Sequence, residues 1–117
     1  MTNKTYLLLL SLLLSISTFS SLASERAHQG WEKIKQGSML IDVRTPEEYE
    51  QGHLDNAQLH PLQDIESWSE SIAKDTPIVL YCRSGRRSGA ALEQLKQKGF
   101  THVHNAGGYS EMLQSSQ

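Results

Sequence analysis

Ile78-Val79-Leu80-Tyr81-Cys82-Arg83-Ser84-Gly85-Arg86-Arg87 is the stretch whose reading decides the fold. Its first four residues are apolar, two of them β-branched, and are entered through Pro77. That is the length and composition of a strand buried on both faces. The strand delivers Cys82 directly into a short loop. From Ser88 to Lys98 the pattern turns helical, with Ala91, Leu92 and Leu95 on the inward face. Gly99 is a left-handed stop that lets Phe100 fold back on Leu95. A buried strand leading through a tight loop into a helix belongs to an α/β fold. In such folds the working site lies beyond the carboxyl ends of the strands, which is where Cys82 stands.

The flanking sequence repeats the alternation. Ala27, Trp31 and Ile34 recur at helical spacing before Gly37, and Met39 to Val43 is a second strand-length apolar run. Thr45-Pro46-Glu47-Glu48 predicts a brief helix: Thr45 caps, Pro46 takes the first helical position, Glu48 closes a capping box and Gly52 ends it. Ala57 to Leu59 reads as a short strand, and Asp64 as the cap of a helix carrying Ile65, Trp68 and Ile72. Thr101 to Asn105 reads as a weak strand, Gly107-Gly108 as a turn and Tyr109 to Gln114 as a final helix. The alternation predicts an α/β domain with a small, mainly parallel sheet and helices on both faces.

Residues 1–23 differ from the rest. Lys4 is the only charge before Glu25, an apolar block runs from Leu7 to Leu14, and small residues precede Ala23. Serines dilute the run after Leu14, short of the roughly 20 apolar residues that span a bilayer. The expectation is a signal peptide cleaved after Ala23, export to the periplasm, and no stable membrane association after its removal. Residues 24–117 then form a single domain of 94 residues, expected to be a monomer. With 10 basic against 13 acidic residues this domain carries a net charge of −3, which gives no basis for binding nucleic acid. Cys82 is the only cysteine, so no internal disulfide can form, although exported domains of this size often rely on them. A lone thiol in an oxidising compartment is a liability unless it is buried or used.

The loop after Cys82 favours its use. A tight turn at a helix start directs backbone N–H groups inward and forms an anion site, to which the helix end adds about half a positive charge. Gly85 admits a conformation that side chains resist, and Arg83, Arg86 and Arg87 crowd the same six residues. An anion is therefore favoured over a neutral group, which predicts a stabilised Cys82 thiolate and a cradle for a dianion. Ser84 and Ser88 complete the cradle. Each arginine also has a plainer reading: Arg83 and Arg86 as a solvent-facing rim, and Arg87 as a residue that holds the loop.

Cys82 to Ser88, followed by an alanine-rich helix and Gly99-Phe100, resembles the active-site segment of the rhodanese family. Ile41 to Tyr49 and Gly52-His53-Leu54 resemble its upstream signature, and Asn105 to Tyr109 its closing turn. The resemblance implies a rhodanese-like fold and a thiosulfate sulfurtransferase working in two steps. Cys82 takes the outer sulfur of a small-molecule donor such as thiosulfate, becoming a persulfide, and a thiol or cyanide acceptor removes it. It implies no metal and no organic cofactor. Cysteine phosphatases place five residues between Cys and Arg. Here four separate Cys82 from Arg87, which suits a smaller cradle.

Asp42 and Arg44 flank the end of the first strand, on the edge where Cys82 stands; beside a direct catalytic role, the favoured reading is support, through an ion pair or through hydrogen bonds that fix neighbouring loops. His53 reads as a surface or packing histidine. His102 and His104 share a strand face, but two ligands do not close a tetrahedral metal site.

Overall fold

The structure, a computed structural model, describes residues 25–116. The expected signal peptide lies outside the described residues. Helix α1 occupies residues 25–35, followed by strand β1 (Met39–Asp42), helix α2 (Pro46–Glu50), strand β2 (Gln58–Leu59) and helix α3 (Ile65–Ser69). Strand β3 (Ile78–Cys82), helix α4 (Arg86–Gln97), strand β4 (Val103–Gly108) and helix α5 (Tyr109–Ser115) complete the chain. The four strands form one sheet in the order β2-β1-β3-β4, and every neighbouring pair is parallel.

Side-chain alternation along β3 divides the core in two. Ile78, Leu80 and Cys82 face α3 and α4, where they pack with Ile41, Val43, Ile65, Trp68, Ala91 and Leu95. Val79 and Tyr81 face the other way, toward α1 and α5, against Ala27, Leu40, Ala106 and Met112. All five residues of β3 are buried, as its apolar run requires. Burying each large aliphatic side chain contributes about 1.5–3 kcal/mol, so this central strand anchors both layers. Trp31 and Trp68 also pack on these clusters, and each gives its indole N–H to a carbonyl, of Met112 at 2.8 Å and of Pro61 at 2.9 Å.

Thr45 and Glu48 form the capping box: the Thr45 side chain accepts from the Glu48 N–H at 3.2 Å, and Glu48 Oε1 accepts from the Thr45 N–H at 3.1 Å. Several boundaries differ from the sequence expectation. The first strand ends at Asp42, although the Val43 N–H still bonds the Tyr81 carbonyl at 3.1 Å. The expected strand at Ala57 shrinks to Gln58–Leu59, and Asp64 caps nothing with its side chain because a 3₁₀ turn over Leu62–Asp64 leads into α3. α3 stops at Ser69, before Ile72, and α4 starts at Arg86 rather than Ser88.

The expected turn at Gly107-Gly108 is strand. β4 runs six residues through both glycines, and its register against β3 slips: Leu80 pairs with Asn105, but Cys82 pairs with Gly108. Three steps on β4 thus oppose two on β3, a bulge absorbed by Gly107 at φ +102°. A Cβ at Gly108 would collide with the Arg83 carbonyl. Gly108 serves the close approach of β4 to the loop after Cys82, and Gly107 leaves room for Arg26 and Glu111; neither reverses the chain.

Candidate active site

The loop Arg83–Gly85 links the carboxyl end of β3 to the N-terminus of α4. Gly85 caps that helix at φ +97°, and no side chain caps it. This left-handed residue turns its N–H back onto Cys82 Sγ at 3.0 Å. The sulfur receives a donor that the first turn of a helix otherwise leaves free, at the end of the helix where the macrodipole is positive.

Burial alone would push the Cys82 thiol up. Hydrogen bonds from the Ser88 hydroxyl and from the N–H groups of Ser88, Ser84 and Gly85 outweigh it, and the thiol is held below its ordinary range. The Ser88 hydroxyl has one proton and lies 2.7 Å from Asn105 Oδ1 but 3.4 Å from Sγ. The hydroxyl is thus shared between Asn105 and the sulfur, and the Gly85 N–H is the short main-chain donor to Sγ. Cys82 itself is 0 % exposed, lying at the floor of the loop.

The three loop arginines part company. Arg87 turns to α2 and meets Glu48 with both terminal nitrogens, at 2.7 and 2.9 Å. This two-point pair is the main reason the Glu48 carboxyl falls to about 2. Arg83 and Arg86 are exposed and form no ion pair among the described residues. Of the predicted cradle, then, Ser84, Gly85 and Ser88 touch the sulfur through amides or a hydroxyl, Arg87 braces the loop, and Arg83 and Arg86 form a rim. Arg83 borders an open cleft of about 400 Å³ that Gln51, Tyr109 and Ser110 also line.

Asp42 and Arg44 form a buried ion pair, with Arg44 Nη2 to Asp42 Oδ2 at 2.7 Å. The Tyr81 hydroxyl donates to the same carboxylate at 2.6 Å and accepts from the Leu54 N–H at 3.1 Å, while Arg44 also donates to the Gly52 carbonyl at 2.7 Å. Burial, then the bond to Asp42, drives the Tyr81 pKa well up. The network ties β1, β3 and the α2 loop together, and its role is support.

Three contributors escaped the sequence reading. Asn105 accepts from Ser88 and from the Gly107 N–H, and gives its amide to the Gly85 carbonyl at 3.0 Å. Arg26 of α1 pairs with Glu111 of α5 and reaches the Ser84 carbonyl. No local pattern announces a partner 85 residues away. The histidines serve packing: His53 stacks on Tyr49 with ring centroids 3.6 Å apart, and His104 Nε2 lies 2.7 Å from the Arg26 carbonyl.

Comparison with known proteins agrees with this geometry. Over 77 residues the chain is 43 % identical to the thiosulfate sulfurtransferase PspE of Escherichia coli, spanning 62 % of this chain and 71 % of that protein. It is 41 % identical over 70 residues to a sulfurtransferase of Allochromatium vinosum, spanning 60 % of this chain and 65 % of that one. A solved rhodanese with anions from E. coli superposes with a TM-score of 0.59 at 39 % identity, covering 64 % of this chain and 91 % of that structure. Residues 26–115 match the rhodanese-like domain, and the chain belongs to that family.

Proposed function

We propose that this chain is a sulfurtransferase that moves the sulfane sulfur of thiosulfate to a thiol or to cyanide through a persulfide on Cys82. The rhodanese-like domain and its sulfurtransferase homologues support sulfur transfer as the reaction class. Thiosulfate as donor, and a thiol or cyanide as acceptor, are our reading. The observation that carries it is the Gly85 N–H at 3.0 Å from a sulfur whose pKa is lowered by the Ser88 hydroxyl and by main-chain donors.

In the first step the Cys82 thiolate attacks the outer sulfur of thiosulfate. A new S–S bond forms at Cys82, the S–S bond of thiosulfate breaks, and sulfite leaves with the electron pair. The negative charge now rests on the outer atom of the persulfide, beside the same amides. In the second step the acceptor attacks that outer sulfur and Cys82 departs as thiolate. We assign the donor's sulfonate to the guanidinium groups of Arg83 and Arg86, whose exposure on the loop supports that reading.

Incubation with thiosulfate followed by intact-mass measurement tests the first step. One added sulfur on Cys82, removed by cyanide as thiocyanate and absent in Cys82→Ala, is the expected result. No sulfur adduct from any donor overturns the reading, and a stable adduct without turnover points to a sulfur carrier instead. We further propose export of a monomer to the periplasm after removal of residues 1–23. N-terminal sequencing of the periplasmic fraction, and its mass in solution, check that part.

A further inference from the structure

The peptide joining Ser84 and Gly85 is held at both ends by different partners. A trans amide is planar, with its carbonyl and N–H pointing in opposite directions. The Gly85 N–H donates to Cys82 Sγ at 3.0 Å, and the Ser84 carbonyl accepts from Arg26 Nη2 at 3.2 Å. Arg26 is fixed in turn by Glu111, through Nε and Nη2 at 2.8 Å each. Glu111 Oε1 also accepts from the N–H of Gly108, the residue opposite Cys82 in the sheet, at 3.2 Å. A continuous set of hydrogen bonds thus leaves the sulfur through the loop, crosses to α1 and α5, and returns to the strand beside it.

Room for this guanidinium is built into the backbone. A Cβ at Gly85 would stand 2.7 Å from Arg26 Nη2, and one at Gly107 would stand 2.6 Å from Arg26 Nε. The absence of side chains that lets Arg26 lie against the loop also leaves the Ser84–Gly85 peptide easy to rotate. Rotation would turn a carbonyl oxygen toward a sulfur anion in place of an N–H.

We propose that Arg26 is a positioning residue for the sulfur anion on Cys82, acting through the Ser84–Gly85 peptide. Its guanidinium anchors the carbonyl, keeps the opposite N–H on the sulfur and polarises the amide into a stronger donor. The proposal rests on the reading of Cys82 as the sulfur carrier. The Arg26 pKa is raised, first by the Glu111 hydrogen bond and, after an opposing burial effect, by the charges of Glu111 and Cys82. The other charged groups around the site are the Arg87–Glu48 pair, the Asp42–Arg44 pair and the exposed Arg83 and Arg86, and all remain in the variants below.

The test is a thiolate titration by ultraviolet absorbance of the mature protein, with Cys82→Ala as blank, for wild type, Arg26→Met and Arg26→Lys. Thermal unfolding of each protein serves as the folding control. At the pH where half of the wild-type Cys82 is ionised, the thiolate fraction of Arg26→Met is expected to fall to about a quarter or less. Lysine keeps the charge but lacks the fork that bridges Ser84 and Glu111, so Arg26→Lys is expected between the two. A titration of Arg26→Met that overlays the wild type, whatever its melting temperature, overturns the proposal. If Arg26→Met does not fold, overlay of Arg26→Lys on the wild type overturns it equally. The titration needs no sulfur donor, so a wild type that takes up no sulfur sinks the proposed function and leaves this measurement readable.

Discussion

Glu48 and Arg87 stand 39 residues apart and meet in a two-point ion pair, at 2.7 and 2.9 Å. The pair straps α2 to the first turn of α4, immediately beside the loop that holds the sulfur. It also sets the charge of that loop: the arginine next to the helix start is neutralised by a carboxylate instead of facing Cys82.

Glu48→Gln is expected to lower stability by about 1 kcal/mol at neutral pH, since the pair is partly exposed and solvent screens it. The folded-state pKa of Glu48 is depressed from 4.5 to about 2, so the stabilisation is present above pH 4.5. It disappears as the pH falls toward 2. Denaturation curves at several pH values check this: the gap between wild type and variant should close across that window.

Because the Cys82 thiol is held below its ordinary range, thiolate persists to lower pH than in a free cysteine. Sulfur uptake should therefore decline only as the pH falls through that lowered value. Ser88→Ala removes one donor and moves this limb upward, slowing uptake on its low-pH side by roughly 3–10-fold. Asn105 keeps the Gly107 N–H as a donor in that variant, so the site is not left with an orphaned acceptor. Single-turnover uptake against pH is the measurement.

Asp42→Asn leaves the Arg44 guanidinium buried without its counter-charge and is expected to destabilise the fold by about 3–5 kcal/mol. Tyr81→Phe removes one donor from Asp42 and the acceptor of the Leu54 N–H, at a cost of about 1–3 kcal/mol. The Asp42 carboxylate and Arg44 stay paired in the second variant, which explains the difference. Chemical denaturation ranks the two.

Cys82 is 0 % exposed, so a bulky maleimide should label the folded protein at least ~10-fold more slowly than the urea-unfolded chain. Prior sulfur loading should move the label to the outer persulfide sulfur, giving an adduct heavier by one sulfur, and cyanide added before the maleimide should abolish that difference. Mass spectrometry of timed samples follows both.

The parts of this molecule legible in its sequence are those decided by near neighbours. The Ile78–Tyr81 run, the Thr45–Glu48 capping box and the Gly99 stop each involve residues a few positions apart, and each stands where local chemistry puts it. The site was legible to the extent that one loop carries it: Cys82, Gly85 and Ser88 all lie within seven consecutive residues. What escaped was partner choice over distance. Arg87 shows a positive charge in the sequence, but only the tertiary approach of α2 to the start of α4 decides that Glu48 receives it. Gly107-Gly108 has the composition of a turn, yet the segment is a bulged strand, with the Arg83 carbonyl leaving no room for a side chain at Gly108. Asp64 has the character of a cap, but the 3₁₀ turn before α3 leaves its carboxylate without that task.

The donors that hold the Cys82 sulfur belong mostly to the main chain, and no replacement short of proline deletes a peptide N–H. Positions 83 and 86 are exposed, and their side chains contribute none of the hydrogen bonds to Sγ. The reactive centre is thus built from backbone and set beneath a ring of exposed side chains that it does not depend on for its hydrogen bonds.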